Sequence, residues 1–304
     1  MSRSGATFLP YSNDSFFKSS VVGAPVDRAA TAEFQAFMAH HPDQAGTGYP
    51  MIRGVGGNRW GMVYAEGRAD DPVWRLVGSV PAEVSVLKSL GFHAPESFGS
   101  QLTGTSDSPF VVMDVASGFT VWGAKATKVG DHVISVGAAG LFEHDSNGLD
   151  RRNPRTNSVI NFRSRGAIPD AMVIRHDLME RAVATGGDLG HVLHVFFVET
   201  DSSAGAVHPM VGAESGKNGW GAEGLRIAVR AGADLSGCSP EAAVIARTLQ
   251  RHGAYLGDNA GKATSLKAEQ ESPGHPVWGG ALRADELKGC ISWSDFVVLP
   301  PGYQ

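Results

Sequence analysis

The residues with the most chemical potential crowd into one stretch, Gly186 to Arg230, which carries His191, His194, Glu199, Asp201, His208, Glu214, Lys217, Trp220 and Glu223. Cleavage of a glycosidic bond needs two carboxyl groups across the scissile bond, and Glu199 and Glu214 are the candidates for that pair. His191 and His194 are candidate acid–base groups. Three apart on a strand, they are expected on opposite faces, one at a groove and one in the core. A histidine satisfied within the core is the plainer reading of either. Trp60, Trp74, Trp122 and Trp220 offer flat apolar faces for stacking sugar rings, although burial is the commoner fate of tryptophan in a β core. A second polar run, Gly140 to Ser164, holds Glu143, His144, Asp145, Asn147, Asp150, Arg151, Arg152, Arg155 and Arg163. It reads as an edge for sugars or anions, Arg151 and Arg152 among the contacts, or as a solvated loop with self-paired charges.

Other chemistries fail on spacing. Gly212-Ala-Glu-Ser-Gly-Lys217 has the end of a phosphate loop, but Val211 stands where the first glycine is required and Asn218 replaces the hydroxyl residue. Arg53-Gly-Val-Gly-Gly-Asn-Arg-Trp60 lacks the strand–turn–helix frame of a dinucleotide fingerprint. No His-Glu-x-x-His, paired Cys-x-x-Cys or Gly-x-Ser-x-Gly occurs, so neither a standard zinc site nor a nucleophile elbow is expected. No cofactor or metal is assigned. Cys238 and Cys290 could pair if the fold joins them, but two ordinary buried thiols is the preferred reading.

The elements that must position these residues are short. Val192 to Val198 is apolar apart from His194 and rich in β-branched and aromatic residues, a strand pattern, and Leu225 to Val229 is a second strand. The loop between them is long, and such loops are more often functional than idle. Phe110–Asp114 and Phe119–Lys125 read as a hairpin around Val115-Ala-Ser-Gly118. Further strands are expected at 131–137, 171–175, 254–257 and 290–299, the last closing a sheet. Asp27 caps a helix with Ala30, Phe34, Phe37 and Met38 on one face, ending near His40-His41, whose side chains complement its dipole. Pro81 to Leu90 predicts a short helix burying Val84, Leu87 and Leu90, with Gly91 beyond its end. His176–Val183 is another helix. Ser239-Pro240-Glu241 opens a third, with Val244, Ile245, Thr248 and Leu249 as its stripe and Gly253 as its stop.

With 304 residues, 42% hydrophobic, 19% charged and 39 glycines, the chain predicts a mainly β fold, a β-sandwich or jelly roll with a few short peripheral helices. The expected organisation is an extended N-terminal arm over 1–26, anchored by Phe16-Phe17, and a single β-rich domain over 27–304. A net charge of −5 argues against a nucleic-acid partner. The longest apolar runs are too short to insert in a membrane, and the first residues lack the apolar core of a signal peptide.

Two resemblances add expectations. Phe162-Arg-Ser-Arg-Gly-Ala-Ile-Pro-Asp-Ala-Met-Val-Ile-Arg175, Gly190-His-Val-Leu-His194 and Leu249-Gln-Arg-His-Gly-Ala-Tyr-Leu-Gly-Asp-Asn259 resemble, in order, segments of a set of secreted bacterial proteins with a suspected carbohydrate role. That resemblance runs from about Asn13 to Asp295. It implies that His191 stands for their strand histidine and Asp258 for their turn aspartate, while His208-Pro209 and Glu214-Ser215 replace their Trp-Pro and Arg-His elements. Tyr11-Ser-Asn-Asp-Ser-Phe-Phe17, His41-Pro-Asp-Gln44, Arg53–Trp60 and Gly148-Leu-Asp-Arg-Arg-Asn-Pro154 are similar to minor tail proteins of actinobacterial, mycobacterial-type phages. The resemblances imply a virion tail-tip protein, made in the host cytoplasm and exported by assembly, that oligomerises with other tail proteins. It would contact host cell-wall polysaccharide through a cleft using Trp60, Trp122, Arg151, Arg152 and Trp220. The alternative is a glycoside hydrolase or polysaccharide lyase in which His191, Glu214 and Asp258 act on envelope glycan, and a third reading is a purely structural subunit.

Overall fold

The computed structural model describes residues 7–44, 46–148, 172–210 and 212–303. Arg151, Arg152, Arg155 and Arg163, and with them the arginine-rich edge, lie outside the described residues.

The fold is mainly β. Along the chain lie α1 (Arg28–His40), β1 (Met51–Arg53), β2 (Val63–Gly67), β3 (Val73–Gly78), α2 (Val86–Ser89), β4 (Phe92–His93), β5 (Phe110–Asp114) and β6 (Phe119–Ala124). Then come β7 (Thr127–Gly130), β8 (Val133–Val136), β9 (Ala138–Glu143), α3 (His176–Thr185) and β10 (Leu193–Phe197). The last elements are β11 (Arg226–Val229), α4 (Pro240–Arg251), β12 (Ala254–Asn259), β13 (Ser265–Lys267) and β14 (Phe296–Val298). Among the described residues the strands form three mixed sheets: a six-stranded sheet ordered β1-β13-β10-β12-β11-β14, a middle sheet ordered β2-β5-β6-β9, and an outer sheet ordered β4-β3-β8-β7.

Side-chain alternation explains how these stack. In the six-stranded sheet Leu193, Val195 and Phe197 of β10, with Ile227 and Leu256 from its neighbours, pack against Phe34 and Met38 of α1, Leu178 of α3 and Val244, Ile245 and Leu249 of α4. The helices therefore cover one face. Tyr255, on the other face, joins Tyr64, Val111, Met113 and Trp122 of the middle sheet and Tyr11, Phe16 and Phe17 of the N-terminal segment. The middle sheet's opposite face, with Phe110, Val112, Phe119 and Val121, packs on Trp74, Leu76 and Ile134 of the outer sheet. The result is a sandwich of stacked sheets with helices on one side.

The local signals act as the sequence suggests. Asp27 caps α1 by accepting the Ala30 N–H at 3.0 Å, and Ser239 caps α4, accepting from Ala242 at 3.1 Å, with Pro240 in the first turn. His40 at the end of α1 hydrogen-bonds the Ala36 carbonyl at 2.7 Å. The β5–β6 hairpin turns because buried Asp114 accepts from the Ser117 N–H at 2.9 Å and Gly118 adopts φ 77°. Asp114 also accepts from the His93 N–H at 2.8 Å, tying β4 of the outer sheet to the middle sheet. In the N-terminal segment Tyr11, Phe16, Phe17 and Val21 are buried.

Several expectations change, among them the strand at 171–175, of whose described residues only Ile174 forms a bridge, to Ala268. The helix at 81–90 is a single tight turn, Ala82–Val84, followed by α2, and ends before Leu90, which is 71% exposed, whereas Val84 and Leu87 are buried. The polar run that starts at Gly140 begins instead with the second half of β9, which pairs with β6. The cysteines are not two separate thiols: Cys238 and Cys290 form a disulfide that holds the start of α4 to the segment before β14. A residue pattern could not foresee this, because the bond joins positions 52 residues apart. Closing a loop of that length lowers the entropy of the unfolded chain by about 4 kcal/mol at room temperature. Reduction is therefore expected to lower the unfolding free energy measured in urea by most of that amount, with no reductant effect on the Cys238→Ser/Cys290→Ser double variant.

Candidate functional site

The long loop after β10 is built on a buried carboxylate. Glu223 is fully buried; its Oε1 accepts from the Glu214 N–H at 2.9 Å and from the Asn259 amide at 3.3 Å. Asn259, at the end of β12, also accepts from the Thr200 N–H at 2.7 Å and donates to the Thr200 hydroxyl at 3.0 Å. Isolated bridges pair Asp201 with Asn218 and Ala206 with Glu223, and the Ser202 hydroxyl donates to the Glu214 carbonyl at 2.6 Å while accepting from the Lys217 N–H at 2.8 Å. The small residues of the loop allow this folding back. A Cβ at Gly219 would overlap the Glu199 carbonyl, against which the backbone is laid.

This loop walls a cavity of about 430 Å³, inside the range of small-molecule and sugar sites. Ala204, Val207, Trp220 and Leu225 come from the loop region, Ala30 and the carboxylates Asp27 and Glu33 from the α1 segment, and Leu299 and Pro301 from the chain after β14. Asp201 adds a third carboxylate. Trp220 is half-buried and set edge-on against Phe34 at 5.3 Å and Phe197 at 6.3 Å, so its position is fixed from behind. Asp201 accepts hydrogen bonds from the Ser203 hydroxyl and N–H at 2.7 and 2.8 Å, which hold its carboxyl below the usual carboxylate range.

Of the sequence candidates, Trp220 and Asp201 line this cavity, and His191, Glu214 and Asp258 are not among its described lining residues. His191 is fully buried, stacked on Phe17 with ring centroids 4.7 Å apart, and its Nδ1 bonds to the Val192 carbonyl at 2.8 Å. Its electrostatic neighbours are Arg175, His252 and Asp188, and burial pushes its pKa down to about 3. Strand β10 begins at Leu193, so strict alternation does not govern His191. His194 is also buried, edge-on against Phe196 at 4.4 Å. Glu214 has Lys217 at 3.8 Å, Asp258 is half-buried at the end of β12, and Glu199 faces His41 at 3.5 Å. Trp122 is buried in β6, whereas Trp60 is 44% exposed on its loop. Arg151 and Arg152 lie outside the described residues.

Sequence reasoning missed the contributions of Glu33, Leu299 and Pro301, which no spacing connects to the loop. The one grouping of metal-ligating atoms among the described residues, Glu96, Asp131 and His132, belongs to the outer sheet; its two carboxylates are exposed, unlike a closed structural site.

Two histidines, the buried His191 and the half-buried His144, set an acid limit. Burial lowers His191 to about 3 and His144 to about 4, against about 6.5 in an unfolded chain. Below about 6.5 the unfolded state takes up protons that the fold refuses, so stability is complete above that pH and is lost as pH falls towards 3 to 4, by up to about 1.4 kcal/mol per pH unit for each histidine. Urea midpoints measured from pH 7 down to pH 4.5 are expected to show this slope, and His191→Gln to flatten it; an unchanged slope in the variant would refute the assignment.

No protein-family model, curated protein or solved structure matches the chain.

Proposed function

We propose that the cavity at Trp220 is a glycan-binding cleft and that the protein works at the tail tip of an actinobacterial phage, contacting the host cell envelope. The observation that carries the binding role is the braced indole of Trp220 beside the carboxylates Asp27, Glu33 and Asp201 in one cavity of about 430 Å³. An aromatic wall takes the apolar face of a sugar ring, and carboxylates accept hydrogen bonds from its hydroxyls. The virion setting rests on the resemblance of Tyr11–Phe17, His41–Gln44, Arg53–Trp60 and Gly148–Pro154 to minor tail proteins. The Cys238–Cys290 disulfide suits work outside a reducing cytosol.

Binding is favoured over cleavage on physical grounds. A glycosidase acid must stay protonated near neutral pH, which requires a raised pKa. Asp201 is shifted the other way by the hydrogen bonds from Ser203, and His191 is enclosed and neutral.

The purified protein is expected to sediment with isolated actinobacterial cell walls without releasing reducing ends or unsaturated sugars. Trp220→Ala should weaken retention by about tenfold or more, equivalent to about 1.4 kcal/mol, and Trp220→Phe, which keeps a ring, should lose less. Sugar release would move the reading to an enzyme. Neither retention nor release would leave a structural tail subunit.

A further inference from the structure

The wall of the Trp220 cavity is one-sided in charge. Asp27, Glu33 and Asp201 bring three carboxylates to it, and no Lys, Arg or His stands among its described lining residues. The remaining lining side chains are apolar apart from the indole N–H of Trp220, so the side chains offer several acceptors and a single donor. Glu33 is exposed on α1. Asp27 and Asp201 are held in place by the Ala30 N–H at 3.0 Å and the Ser203 N–H at 2.8 Å. Three like charges around one cavity repel each other and repel an anionic guest, and a cation relieves all three. An indole face adds attraction for the same guest.

We propose that the glycan taken by this cleft carries protonated primary amines, as in a polymer with unacetylated hexosamine units. The inference rests on the cleft being a glycan site. It follows from what the wall can satisfy. An ammonium group brings three donors to a wall of acceptors. A uronate or a phosphodiester brings negative charge and acceptors to the same wall. An acetamido group brings a carbonyl that finds few side-chain donors, and leaving it unpaired costs affinity.

The test uses the full-length protein and four probes of equal length: fully deacetylated glucosamine oligomer, its N-acetylated counterpart, an oligouronate and oligolysine. Binding is read by calorimetry and by tryptophan fluorescence at mildly acidic pH. The deacetylated oligomer is expected to bind about tenfold more tightly than the acetylated one, with affinity falling as salt screens the carboxylates, and Glu33→Gln should shrink that ratio. Circular dichroism of each variant separates lost binding from lost fold. Equal binding of the two glucosamine oligomers, still dependent on Trp220, would overturn the amine preference and leave the glycan cleft standing. Binding of oligouronate alone would overturn it as well. Binding of oligolysine alone would replace the glycan with a cationic protein partner, and binding of none would bring down the cleft and the preference together.

Discussion

The middle sheet has no solvent face, and much of the architecture follows from that. Every residue of β5 is buried, as are the first five of β6. Phe110 and Val112 point to the outer sheet, while Val111 and Met113 point to the six-stranded sheet. A strand covered on both sides reads as a continuous apolar run without polar alternation, which is what Phe-Val-Val-Met shows. Each large apolar side chain enclosed there contributes about 1.5–3 kcal/mol, so both neighbouring layers are held by the same strands. The six-stranded sheet, with one face taken by the middle sheet and the N-terminal aromatics, has the other left for helices. That is why α1, α3 and α4 all lie on one side.

Close stacking needs room for large rings, and glycine supplies it within strands as well as at turns. Trp122 is paired across the sheet with Gly140 and Phe110 with Gly123; a Cβ at either glycine would overlap the opposing ring. His194 lies over Gly257 in the same way. Part of the chain's 39 glycines is therefore interior packing, each missing side chain giving space to an aromatic neighbour. Composition alone suggested turns and short strands, because a count cannot distinguish a glycine in a bend from one beneath a tryptophan.

What was legible in the sequence was local. Asp27 and Ser239 announced α1 and α4 through capping, and Asp114 to Gly118 announced the hairpin, since these signals act over a few residues. Leu90 was misjudged because the tight turn at Ala82–Val84 shifts the helical phase. The disulfide and the cavity were hidden for a different reason. Cys238 meets Cys290 through the packing around α4, and Trp220 meets Glu33 and Leu299 only because α1 and the chain after β14 flank the same loop. His191 looked chemically available because a sequence does not show that Phe17, far off in the chain, stacks on its ring.

The loop that carries Trp220 is positioned by polar rather than apolar forces. Burying Glu223 costs several kcal/mol unless it is hydrogen-bonded, and the Glu214 N–H and the Asn259 amide both donate to its Oε1. The dependence runs both ways: without the carboxylate, a backbone N–H and a side-chain amide would lose their acceptor, and an unsatisfied buried donor is more costly than an absent one. Loop and carboxylate therefore fix each other, and Asn259 fixes both to the end of β12 through Thr200. Asn259, at the end of β12, thus has a mechanical role. It sets the base of the loop whose far wall holds Trp220 against Phe34 and Phe197. A ring held this way loses little freedom when a ligand stacks on it, so more of the contact energy remains as affinity.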